Sequence, residues 1–365
     1  MKILYVTNIP SPYRVNYFNK LGKQCELTVI FEKGNSVERD ESWEKYSFEN
    51  FRGIILNGVS YAVDKGFSLG ILKYLKKEKY DLIILCNVMS LTGFVLVSYL
   101  RHKKIQYIVE GDGAFAPIQE RKIKTIIKRY LLKGAKAYFS TCKNHDEYYR
   151  NYGVKDEQIF RYPFSSVYEK EIKEQILTKE EKISRRVELG IKEENVIIAV
   201  GQFVHRKGFD VLLKGIECLD ENIGVYFIGG NNNEYSQYIK EQNVQRIHFE
   251  GFKDRNELFK YLDAADLFVL PTREDIWGLV VNEAMSRGLP VITTKRCNAG
   301  LEMIEEGKNG YIVPTEDSSF LTGRIQQFFN RKAHYKMARE SLNKAKQYTI
   351  ETMVIEHMKV FKRLM

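Results

Sequence analysis

Cysteine, histidine and tryptophan are scarce in this chain of 365 residues, which holds five, six and two of them. Cys25, Cys86, Cys142, Cys218 and Cys297 are odd in number and scattered, with no Cys-x-x-Cys and no Cys/His cluster. That pattern argues for reduced thiols in a cytoplasmic protein and against a zinc site. His102, His145, His205, His248, His334 and His357 lie far apart and lack ligand spacing, and no Asp-x-Asp pair is present to grip a divalent metal. No metal site is therefore expected. The serine nucleophile elbow, the P-loop and the GxGxxG fingerprint are missing as well. So is any recognised nucleic-acid module, which leaves nucleic acid out of the expected partners. Proline and glycine are sparse, at 7 and 25 residues, and there is no internal repeat or low-complexity tract. With 44% hydrophobic residues the chain has material for large cores, enough for two domains of ordinary size and with no sign of disorder. The N-terminus runs straight into a strand, Lys2 to Thr7, so no signal peptide is expected.

One stretch, Leu82 to Leu100, carries no charge. Asn87, Ser90, Thr92, Gly93 and Ser98 make it too polar for a good spanning helix. It reads as a buried strand, Leu82 to Cys86, a turn at Asn87, and a helix from about Ser90. Formal charge is unevenly placed. Residues 1–165 hold 27 Lys and Arg against 17 Asp and Glu, whereas residues 166–365 hold 30 of each. The whole excess of +10 lies in the first part, which suits an anionic partner. Seven of those cations fall between Arg121 and Lys136, with no acidic residue among them. Ile123, Ile126, Ile127, Tyr130 and Leu131 recur there at helical spacing. Such a helix suits an anionic membrane surface, the alternative being a helix packed on a sheet with a solvated basic face.

Apolar runs alternate with helical stretches. Strands are expected at Ile3–Val6, Leu27–Phe31, Leu82–Leu85, Tyr107–Val109 and Ala137–Ser140. A second set follows at Val196–Val200, Val225–Ile228, Ile247–Phe249, Leu267–Leu270, Val291–Thr293 and Tyr311–Val313. This is the α/β pattern of parallel sheets covered on both faces, twice over. Pro163 marks the join, giving domains at 1–165 and 166–348 and a closing helix within 349–365. In open parallel sheets ligands bind beyond the carboxyl ends of strands, so the loops there hold the candidate residues. Gly201-Gln202-Phe203-Val204-His205-Arg206-Lys207-Gly208 follows one strand and offers Arg206 and Lys207 to a diphosphate. Pro271 to Pro290 follows another, with Glu274, Asp275 and Glu283 around an expected helix from about Gly278 to Arg287. Gly229-Gly230-Asn231 and Gly251-Phe252 end two further strands, as pocket borders or as simple turns. In the first domain Arg14, at the end of the stiff Asn8–Arg14 loop with two prolines, could meet a phosphate, and Asp112, between glycines, or Glu110 could meet hydroxyls.

The spacing Asp275-x7-Glu283, the Ile276-Trp277-Gly278-Leu279 turn, the Asn-Glu-Ala-Met run from Asn282, the Gly288-Leu289-Pro290-Val291-Ile292 exit and the Gly307-Lys308-Asn309-Gly310 turn together resemble the retaining GT-B glycosyltransferases, in particular glycosyltransferase family 4. The resemblance implies a GT-B fold of two doubly wound Rossmann-like domains facing a cleft, with the C-terminal helix returning to the N-domain. It implies sugar transfer from a nucleotide-sugar, UDP- or GDP-linked, with no cofactor. Lys207 and Arg206 would neutralise the diphosphate, Glu283 would accept ribose hydroxyls, and Asp275 would hold sugar hydroxyls. Ile276 to Leu279 would present backbone to phosphate or sugar, while Gly201, Gly230, Gly251 and Phe252 border the nucleotide. The first domain would take a saccharide acceptor, lipid-diphosphate-linked or soluble, on the inner face of the cell membrane. The chain departs from the family's usual pattern in having Asp275 for Glu, Gln202 for Arg and no glycine in the Asn8–Arg14 loop. Those departures keep two alternatives open, a catalytically weak subunit supporting a partner enzyme and a GT-B nucleotide-sugar epimerase.

Overall fold

The computed structural model describes residues 1–34, 47–56, 58–62, 65–77, 79–230, 245–330 and 334–365. They fall into two compact units, Met1–Ser166 with Thr349–Met365, and Val167–Tyr348.

The first unit is built on a seven-stranded sheet ordered β3-β2-β1-β6-β7-β8-β9. Its strands are β1 (Lys2–Thr7), β2 (Glu26–Phe31), β3 (Arg52–Ile55), β6 (Leu82–Leu85), β7 (Ile108–Glu110), β8 (Ala137–Ser140) and β9 (Ile159–Arg161). Each neighbouring pair is parallel. A small antiparallel pair, β4 (Val59–Ala62) and β5 (Lys65–Phe67), lies outside it. Long apolar runs account for the central strands: Leu4, Val6, Ile30, Ile83, Leu85 and Val109 are buried in one core with Leu96, Val97 and Leu131. The edge strands β3 and β9 were not expected from the sequence. Arg52-Gly53-Ile54-Ile55 and Ile159-Phe160-Arg161 are only partly buried, so they lack the run that marks a central strand. The strand expected at Tyr107–Val109 lies one residue later, ending on Glu110. Leu82 to Leu100 divides into β6 and the start of a helix, Leu91–His102. Among the described residues no helix is long and apolar enough to cross a membrane.

The second unit repeats the plan with six strands ordered β12-β11-β10-β13-β14-β15. They are β10 (Asn195–Val200), β11 (Ile223–Ile228), β12 (Ile247–Glu250), β13 (Leu267–Leu270), β14 (Val291–Thr294) and β15 (Gly310–Val313). All pair in parallel. Ile197, Val225, Phe227, Val269 and Ile292 of the sheet pack with Phe209, Ile325 and Phe328 of the helices. The leading helix, Lys179–Leu189, starts on a Thr178/Glu181 capping box and stops at left-handed Gly190, a start and a stop written directly in the sequence. Strand order reverses between β1 and β6 and again between β10 and β13. At such switch points the loops beyond the carboxyl ends diverge and leave room for a ligand.

Candidate active site

In the second unit the switch point brings together the loops after β10 and β13. Lys207 comes from the first and Asp275 from the second, and Lys207 Nζ donates to Asp275 Oδ2 at 2.6 Å. Both residues are buried, Lys207 at 9% and Asp275 at 8% exposure. A buried ion pair holds its geometry because either charge alone would be costly there. The backbone between them is stitched as well. Arg273 N–H and Thr272 Oγ1 both donate to the Arg206 carbonyl, at 2.8 and 2.9 Å. Arg206 itself is half exposed; its Nη1 donates to the Glu274 carbonyl at 2.9 Å and lies 3.9 Å from Asp275 Oδ1. Gly208 makes this approach possible. Its φ is +67°, and a Cβ there would stand 2.1 Å from the Pro271 carbonyl oxygen. The helix that follows, Phe209–Leu213, has only five residues, so no full helix end stands where a phosphate grip was expected.

The helix after β13, Leu279–Ser286, is longer and opens on Gly278 at φ +102° with no side-chain cap. Its first N–H groups lack intrahelical acceptors, and the helix dipole makes that end attractive to an anion. The turn before it is rigid. Trp277 is buried with Nε1 donating to Asn282 Oδ1 at 2.8 Å. Asn298 Nδ2 donates to the Ile276 carbonyl at 2.8 Å, and Asp275 N–H donates to the Arg296 carbonyl at 2.8 Å. Ile276 stays exposed. Glu274 pairs with Arg296, so its side chain is turned to that arginine.

Glu283, on the second turn of the same helix, meets Arg255, whose Nη1 lies 3.2 Å from Glu283 Oε1. Arg255 also contacts Glu171 at 2.7 and 3.0 Å through Nε and Nη2. Arg255 was not singled out from the sequence; it follows Asp254, which caps its helix, and nothing in the local pattern says that its guanidinium reaches a carboxylate 28 residues away. Arg273 was missed in the same way. It binds Asp210 at 2.7 and 2.8 Å and the His205 carbonyl at 2.6 Å, and so fastens the turn that carries Lys207. Of the remaining border residues, Gly201 lies against the Lys207 side chain, while Gly230 and Gly251 have open space where a Cβ would be. Phe252 is exposed, and Asn231 falls outside the described residues. Among the described residues no cluster of metal-ligating side chains occurs.

In the first unit the expected substrate residues take part in a buried network. Arg14 is not in a loop. It lies in the first turn of the helix Pro12–Leu21 and is 3% exposed. Its guanidinium meets Glu110 Oε1 at 2.5 Å and also pairs with Asp112, so the phosphate expected for Arg14 is replaced by two carboxylates of the chain itself. Glu110 is fully inside, with Tyr5 Oη donating to it at 2.9 Å and the His357 ring nearby, Nε2 lying 3.3 Å from Oε2. Its partners are thus groups of the chain itself. Asp112, one turn of the loop further out, is about a quarter exposed and accepts from Tyr13 Oη at 2.9 Å. The glycine before it serves close packing, since a Cβ on Gly111 would stand 2.7 Å from the His145 ring. His357 arrives from the helix Ile350–Leu364, where its ring stacks on Phe139 at 4.2 Å.

Burial opposes the charge of Glu110, yet the Arg14 guanidinium and the His357 ring hold its carboxyl at about 2, against an ordinary 4.5. A folded value below the unfolded one means that the carboxylate stabilises the fold above about pH 4.5 and loses that contribution as pH falls toward about 2. The stability gap between the native chain and Glu110→Gln should therefore be largest near neutrality and shrink on acidification below pH 4.5. Urea unfolding followed at several pH values measures it; a gap that widens in acid contradicts the pairing.

Two doubly wound units of parallel strands in sequence make up the GT-B fold. The whole chain superposes on Alr3699/HepE from Anabaena, solved in complex with UDP, with a TM-score of 0.80, 16% identity and complete coverage of both chains. Residues 180–349 match the family described as glycosyl transferases, group 1. The chain is 28% identical over 279 residues to an uncharacterized 41.2 kDa protein in the cps region of Klebsiella pneumoniae, covering 72% of this chain and 75% of that one. It is 22% identical over 303 residues to the N,N'-diacetylbacillosaminyl-diphospho-undecaprenol alpha-1,3-N-acetylgalactosaminyltransferase of Campylobacter jejuni, covering 80% and 79% of the two.

Proposed function

We propose that the chain is a retaining, metal-independent glycosyltransferase that moves a sugar from a UDP- or GDP-sugar to a lipid-diphosphate-linked saccharide in surface polysaccharide assembly. The Lys207–Asp275 pair at the β10/β13 switch point carries this reading. It sets a cation and a hydroxyl-accepting carboxylate beside a helix start suited to a diphosphate. Glu283 receives the ribose hydroxyls, and Arg255 holds its carboxylate in place. In transfer the acceptor hydroxyl bonds to the anomeric carbon on the face from which the diphosphate departs. The bond from that carbon to the phosphate oxygen breaks, and the departing oxygen takes the acceptor's proton. Lys207, Arg206 and the N-terminus of Leu279–Ser286 stabilise the charge that develops on the leaving group. The acceptor class is supported by the undecaprenol-diphosphate named for one relative and the cps region named for another. The reaction would then take place at the inner face of the cell membrane. In the presence of chelator the purified protein should transfer sugar, and Glu283→Gln should cut turnover at least about tenfold, roughly 1.4 kcal/mol of transition-state stabilisation. Unchanged turnover in a folded Glu283→Gln protein removes Glu283 from the site.

A further inference from the structure

The helix Lys122–Leu132 is mounted the wrong way round for a helix that only covers a sheet. Ile123, Ile126, Ile127 and Tyr130, at i, i+3, i+4 and i+7, form its apolar stripe, which ordinarily faces a core. Here that stripe faces out. Ile123 is 67% exposed, Ile126 66% and Ile127 45%. The sides turned inward are Thr125, Lys128, Leu131 and Leu132. Lys128 bonds Glu120 at 2.6 Å and Tyr152 Oη at 3.1 Å, so a salt bridge sits where the stripe would otherwise pack. The outward face continues beyond the helix. Ile118, just before it, is 97% exposed. Tyr130 packs beside exposed Phe94 of the helix Leu91–His102, ring centroids 5.6 Å apart.

Exposed cations border this face. Arg121, Lys122, Lys124, Arg129 and Lys133 all lie at the surface, and no acidic residue occurs from 121 to 136. The nearest carboxylate before them, Glu120, is bound to Lys128, Tyr152 and Thr125. An apolar strip of isoleucines with a tyrosine and a phenylalanine at its edge, bordered by surface cations with no acidic residue among them in sequence, matches a bilayer interface. Apolar side chains enter the acyl boundary, aromatic rings lie at headgroup depth, and cations meet anionic headgroups. We infer that this two-helix face docks the protein on an anionic lipid bilayer. The inference deepens the reading of a lipid-linked acceptor by naming the surface on which that acceptor would be met, and it can stand or fall apart from the chemistry.

The test uses the full chain and vesicles of phosphatidylcholine with or without phosphatidylglycerol, at low and moderate salt. Binding should require the anionic lipid and weaken as salt rises. The triple variant Ile123→Ser, Ile126→Ser, Ile127→Ser and the double variant Lys124→Glu, Arg129→Glu should each lower vesicle affinity at least tenfold. Both should keep the native thermal transition and the native affinity for UDP or GDP, whichever the protein binds. Equal binding to neutral vesicles, or affinity unchanged in either variant, overturns the inference. So does light scattering that shows a dimer which the serine variant dissociates, since the face would then belong to a second copy of the chain. Vesicle binding that persists in a protein whose turnover ignores Glu283→Gln would sink the site assignment and leave the docking surface standing.

Discussion

Lys207→Ala should lower sugar transfer at least about a hundredfold, roughly 2.7 kcal/mol of transition-state stabilisation, the size expected for one preorganised donor aimed at developing charge. Its ammonium is held 2.6 Å from Asp275 in a buried setting, so it needs no reorganisation as the diphosphate leaves. The substitution also strands a buried carboxylate, which by itself weakens the fold. The double variant Lys207→Ala, Asp275→Asn separates the two effects. It should recover most of the lost stability and none of the lost rate. A folded Lys207→Ala enzyme with native turnover would show that the pair is architecture alone.

Arg14→Leu should cost the first unit about 3 to 5 kcal/mol, the range seen when one member of a buried ionic group is removed. Glu110 and Asp112 would then share one interior with no guanidinium between them. Restoring neutrality by adding Glu110→Gln and Asp112→Asn should return part of the loss. Denaturant unfolding, read with a probe in the first unit, gives the number. A loss below about 1 kcal/mol would mean that water or neighbouring groups already compensate the carboxylates.

The central strands were legible because burial on both faces demands continuous apolar runs, as at Leu82–Leu85 and Leu267–Leu270. The edge strands β3 and β9 were not, because half-exposed strands carry mixed residues. In the second unit the candidate residues are close in sequence to the strand ends that position them, and a strand, a glycine and a helix start leave a local record. That record shows where Lys207 and Asp275 belong, but not that they touch. In the first unit the sequence misleads. Arg14 and Glu110 each look available, and only the fold, by joining residues 96 apart at one contact, reveals that they satisfy one another. The helix Lys122–Leu132 shows the same limit. Periodicity reveals that a stripe exists, but not which way it faces.

The helix Ile350–Leu364 belongs to the first unit, yet the ribosome makes it after the whole of the second. Until residues 349–365 emerge, Phe139 has no His357 ring to stack on and Glu110 lacks one of its partners. The second unit, continuous in sequence, can complete itself during synthesis. The first, although begun earliest, lacks the ring and helix that cover Phe139 until its last residues are made.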